Sequence, residues 1–137
     1  IGSRLVGSEM CIRDSHDTGR DPDNYRVGII RSILVTDDLE ADWLPIRESE
    51  RYRMKLYQRF FEESGEGFGE EGEAVPQTWI KGTSRECIDQ IIEFVKNFGI
   101  TDIVSMAVPP GLSVEQMAPS LERLFRDVVP QVKESLS

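Results

Sequence analysis

Histidine is nearly missing from this chain, with His16 the only one in 137 residues. An imidazole acting as acid or base needs a partner that orients it. His16 stands instead in a polar stretch with Gly19 and Pro22, so it reads as a solvated side chain. Cysteine is as scarce. Cys11 and Cys87 lie far apart, which gives neither a disulfide framework nor metal-ligand spacing and points to a reducing, cytoplasmic setting. No apolar run approaches the ~18 residues that a membrane span needs. Positive charge is in deficit: 16 Lys and Arg against 25 Asp and Glu leave a net charge of −9. That balance disfavours nonspecific binding to nucleic acid or to an anionic membrane. No GxGxxG follows a strand pattern, so nothing supports a dinucleotide fold, and no GxSxG offers a nucleophile elbow.

What is present is clearest between Trp79 and Gly111. Thr83 followed by Glu86 makes a T-x-x-E capping box. Ile88, Ile91, Ile92 and Val95 recur at i, i+3, i+4 and i+7, so one face of the predicted helix is apolar. Gly99 suits a left-handed helix stop. Residues 100–108 are then nearly continuous in apolar side chains, as expected of a parallel strand covered on both faces. Strand, helix and strand in this compass predict a βαβ unit. Cys87 falls on or near the apolar face with no second thiol or imidazole beside it, and reads as a buried, inert group.

Upstream, residues 1–15 show no period, cap or alternation. The run VGSEMCIRDS resembles a translated sequencing-adapter read-through of the kind found at the ends of fragments predicted from environmental DNA. These residues are expected to be a disordered, non-native artefact, which leaves 16–137 as one partial domain with the natural protein continuing upstream. Residues 25–35 have the β-branched richness of a strand. Within it Arg31 shares a face with Ile29, Ile33 and Val35, where a charge must be paired, snorkel to water, or line a site. Arg31 is therefore the one candidate contact for an anion or cofactor.

Thr36-Asp37-Asp38 predicts a turn and helix start, and a helical stretch over 39–64 that Pro45 divides. Tyr52, Leu56, Tyr57, Phe60 and Phe61 recur on it at helical spacing and read as core or interface. Residues 63–73 alternate glycine with glutamate. They form neither a phosphate loop nor the alternating oxygen pattern of a metal loop, and are expected to be a flexible excursion. Ser113 with Gln116 predicts a second capping box. Its helix has Met117, Leu121, Leu124, Phe125 and Val128 as the buried stripe, Pro130 as a stop or kink, and a frayed tail.

Alternation of strands and helices predicts an α/β protein, and residue chemistry alone stops there. Four stretches then resemble the bacterial luciferase-like family in order and spacing. They are Arg31-Ser-Ile-Leu-Val-Thr-Asp-Asp-Leu-Glu-Ala, Trp79-Ile-Lys-Gly-Thr-Ser-Arg-Glu-Cys-Ile, Phe98-Gly-Ile-Thr-Asp-Ile-Val and Leu124-Phe-Arg-Asp-Val-Val-Pro, together spanning 25–132. Ser84 stands where proline is common. The resemblance implies the last two to three βα units of a (β/α)8 TIM barrel, a fold that takes about 250 residues when whole. It also implies a flavin-dependent monooxygenase or oxidoreductase using reduced FMN or the deazaflavin F420 on a small organic substrate with molecular oxygen, incomplete and inactive in this chain. No metal, nucleic acid or membrane is expected, and homo-oligomerisation is left open. The competing expectation is a stand-alone α/β binding or interaction module without catalysis.

Overall fold

A computed structural model describes residues 24–64 and 79–137. The expected foreign segment 1–15, His16 and nearly all of the 63–73 excursion lie outside the described residues. The rest is a mixed α/β arrangement of short parallel strands under long helices. The first strand line is β1 (Gly28–Ile30) and β2 (Ser32–Val35), broken at Arg31 alone. Helix α1 (Leu39–Ser64) follows, then β3 (Trp79–Gly82), α2 (Ser84–Phe98) and β4 (Asp102–Val104). The chain closes with α3 (Val114–Arg123), a π-helical turn (Leu124–Val128) and α4 (Val129–Leu136).

β2 pairs in parallel with β3, from Ser32 opposite Trp79 to Val35 opposite Gly82. β1 pairs in parallel with β4, from Gly28 opposite Asp102 to Ile30 opposite Val104. The Arg31 N–H donates to Val104 O (3.0 Å), whereas the Thr36 N–H donates to Gly82 O (2.8 Å). Alternate N–H groups of a strand point to opposite edges, so these two bonds leave from opposite sides. The first strand line is thus central, with β3 on one side and β4 on the other. A closed (β/α)8 barrel pairs each strand with its sequence neighbour and keeps its helices outside. The described strands do not close, and their helices lie on both faces.

Both faces of the central line are apolar, which explains the double cover. Ile33, Val35 and Ile80 pack with Cys87, Ile88, Ile91, Leu124 and Val128 on one face. Leu34 and Trp79 pack with Ile46, Met117 and Trp43 on the other. The last helix serves both cores by crossing the sheet edge: Met117 belongs to one, Leu124 to the other, and between them the Ser120 hydroxyl accepts from the Val35 N–H (2.8 Å). Both predicted capping boxes are present, Thr83 with Glu86 and Ser113 with Gln116. Gly99 stops α2 in the left-handed region at φ 62°.

Five expectations change. Pro45 does not divide α1; it and Ala41, the residue whose carbonyl its missing N–H cannot serve, are both exposed, so the lost bond costs little there. The strand expected over 100–108 pairs only from Asp102 to Val104. Phe125 leaves the buried stripe and stands 68% exposed, because the π turn rotates the residues that follow Leu124. That turn has the Val129 N–H donating to Leu124 O just before Pro130, so the helix runs on to Leu136 instead of stopping or fraying. Of the two readings for the α1 aromatics, core or interface, exposure rules out core for Tyr52, Tyr57 and Phe60.

Candidate functional site

The carboxyl end of β2 opens into a cavity of about 370 Å³. Leu34 and Val35 form its floor, Pro45 and Ile46 of α1 one wall, and Leu112 and Met117 another. Thr36, Asp42, Gln116, Ser120 and Arg123 supply its polar atoms. A mostly apolar cleft with a few convergent polar groups, outside the carboxyl end of a parallel strand, is the usual setting of a small-molecule site.

The polar groups are engaged by their neighbours. The Thr36 hydroxyl donates to the Asp42 carboxylate and accepts from the Asp38 N–H (3.0 Å). Asp38 in turn accepts the Ala41 N–H (3.2 Å), capping α1 where Glu40 and Asp42 favour the positive helix end. The Arg123 guanidinium donates to Asp37 (3.0 Å) and to the Ser84 hydroxyl (3.2 Å), tying the β2 turn to the start of α2. Gln116 accepts the Ser113 N–H through its side-chain oxygen (2.8 Å). The site therefore presents hydroxyl, carboxylate, amide and guanidinium groups in a fixed arrangement, with no thiol or imidazole among the described residues of its lining.

Beside it, the Lys81 ammonium lies 3.6 Å from the centre of the Trp43 ring. Trp43 meets Trp79 edge-on, with centroids 5.5 Å apart and planes at 69°. Partial burial holds the Lys81 amine below the usual lysine range. The contact joins the end of β3 to α1 as a cation–π fastening. Further along α1, Glu50 is 2% exposed and pairs with Arg53, and the Ser49 hydroxyl donates to Pro110 O. The Ser49 bond holds the loop after β4 against α1.

Arg31 does not line the cavity. It keeps the face shared with Ile33 and Val35, as its register predicts, and its guanidinium lies 5.5 Å from the Phe94 ring centroid of α2. Its Nη1 donates to the Ile30 carbonyl (2.7 Å). Cys87 is fully buried and its thiol donates to the Leu34 and Gly82 carbonyls. Burial first, then the neighbouring Glu86 charge, push that thiol up to about 11, so it is inert at neutral pH. Thr36 and Asp37 were expected at this end of the sheet. Ser120 and Arg123 were not legible, because a serine and an arginine inside a helix carry no pattern that marks a cavity.

No family model matches this chain. No curated protein matches it in sequence either.

A flavin phosphate needs a free cation or open backbone donors. Around the cavity Arg123 is held by Asp37 and Ser84, Lys81 lies on Trp43, and the first turn of α2 is closed by its capping box. The described residues do not fit that group, and no step is derived through it.

Proposed function

We propose that this chain forms the closing strand–helix units of a luciferase-like oxidoreductase, one that uses reduced FMN or F420 to oxidise a small organic substrate, and that the chain alone does not carry the reaction. The observation behind this reading is the position of the cavity, at the carboxyl end of a parallel strand, the end where barrels of this kind place their sites. Three of the stretches that carry the resemblance form the acidic turn after β2, the capping box of α2 and the final helix, while the fourth, which holds β4, pairs beside β1 instead of β3. On this reading the central position of the first strand and the docking of α1 over the second face come from a sheet that covers itself where further strands are wanting. The chain contributes one wall of the substrate site, and the phosphate is held elsewhere.

A binding module without catalysis is the second reading. It is favoured by one feature: both charged groups of the cavity are already engaged by neighbouring residues, Asp42 by Thr36 and Arg123 by Asp37 and Ser84. Titrating FMN and F420 with the 137-residue chain, and separately with its longer natural reading frame, separates the two through flavin fluorescence. The expected result is no saturable complex for the short chain and a stoichiometric one for the longer protein. Absence of binding by both leaves the binding module standing. A stoichiometric complex of the short chain overturns the claim that its site is incomplete.

A further inference from the structure

We propose that the cavity at the carboxyl end of β2 takes a small neutral carboxamide, its carbonyl against Ser120 and Gln116 of α3 and its N–H against Asp42 of α1. This names the ligand class of the site described above and rests on that cavity being a small-molecule site, which the flavin reading and the binding module share. Charge decides first. Asp42 lies in the first turn of α1, where the positive helix end offsets it. Arg123 is paired with Asp37. Both charges of the lining are thus matched within the chain, and a charged ligand would bring an unmatched one into a mostly apolar cleft.

Hydrogen-bonding capacity then selects the functional group. Ser120 is 6% exposed, and its oxygen accepts the Val35 N–H (2.8 Å). A hydroxyl also carries a proton to donate, and none of the described residues accepts that of Ser120. Gln116 stands one turn earlier on the same helix face. Its oxygen accepts the Ser113 N–H in the capping box, which leaves its NH2 without an acceptor among the described residues. On the α1 side, Asp42 takes the Thr36 hydroxyl on one carboxylate oxygen, and the other accepts from none of the described residues. One side therefore lacks an acceptor and the other lacks a donor. A carboxamide supplies a carbonyl with two lone pairs and an N–H in one plane. A ketone or aldehyde leaves Asp42 unmet, a carboxylate meets it with like charge, and an ammonium leaves Ser120 and Gln116 unmet. Leu34, Ile46 and Met117 suit a short aliphatic body, and about 370 Å³ is at the small end for ligand pockets.

Titrating the 137-residue chain with hexanamide, hexanoate, hexylammonium and butyl methyl ketone, followed by backbone amide shifts, tests the assignment. The Val35 amide is the reporter, because Ser120 accepts from it more strongly once its own proton is donated. Hexanamide should form a millimolar complex, as fits so small a ligand, about fivefold or more tighter than each of the others. Gln116→Glu keeps an acceptor for the capping box but loses the NH2, so it should weaken hexanamide by a similar factor with circular dichroism unchanged. Asp42→Asn keeps an acceptor for Thr36 and should narrow the gap between hexanamide and hexanoate. A Val35 amide indifferent to every probe would remove the small-molecule site itself, and the proposal with it. Binding without preference for the amide, or a preference that survives Gln116→Glu, would keep the site and overturn its ligand class. Flavin titration of the longer protein decides the oxidoreductase reading separately.

Discussion

Trp79–Phe98 and the stretch from Ile100 to Leu112 are similarly apolar in sequence, yet only the first is covered. In the β3–α2 unit, Ile80 is 1% exposed, Cys87 is fully buried, and both helix ends are capped. In the β4 stretch, pairing ends at Val104, and Val104, Met106 and Val108 face solvent. The difference lies in what surrounds each strand. β3 has a paired edge and packs against helices through both faces, while β4 has one paired edge and one roofed face. A short strand with open sides contributes little of its own. The lesson is that an apolar run states a need for burial, and neighbours decide whether that need is met.

The largest effect that tests the comparison is in the core. Ile80→Ala should cost about 2–5 kcal/mol, the range for emptying a buried aliphatic site. Val104→Ala, at a side chain 59% exposed, should change stability by about 0.5 kcal/mol or less. Urea melts of both variants give the two numbers. Similar losses would mean that β4 is as well packed as β3 and that its exposure is wrongly placed.

Glycines sharpen the contrast next. Gly82, at φ 138°, ends β3, and a Cβ there would meet the Glu86 carboxylate at 2.2 Å. That carboxylate accepts the Thr83 N–H in the capping box. Gly82→Ala should therefore combine backbone strain with loss of a cap, about 3 kcal/mol together. Gly111, at φ 81°, has open space around its position, so Gly111→Ala should cost only strain, about 1 kcal/mol. Equal effects would show that the Glu86 contact is irrelevant.

Legibility followed the same divide. Caps, the helix stop, the buried thiol and the face carrying Arg31 were readable because each depends on residues a turn or less apart. The central place of the first strand was not, since it depends on which edges β3 and β4 find. Phe125 was misplaced because a π turn is not written in a 3.6-residue period. The cavity was half legible: Thr36 follows from the turn, while Ser120 and Arg123 reach it only because the last helix crosses the sheet edge.

The thiol of Cys87 offers a pH test confined to the covered region. Its neutral form is favoured by burial, which pushes it from 9.0 up to about 11. A group whose pKa is raised on folding contributes stability in full below its unfolded pKa and loses it as pH rises through the folded one. The window is therefore about pH 9 to pH 11. Across it the unfolded chain ionises this thiol and the folded chain does not, a loss of about 2–3 kcal/mol by linkage. Lys81, held low by partial burial, titrates nearby with the opposite sign, so the effect must be read as a difference. Stability of Cys87→Ala subtracted from that of the parent, measured at steps from pH 8 to about pH 11, should fall along this curve. A flat difference would mean that the thiol reaches solvent, and with it that the core beneath β2 and β3 is no better sealed than the open flank of β4.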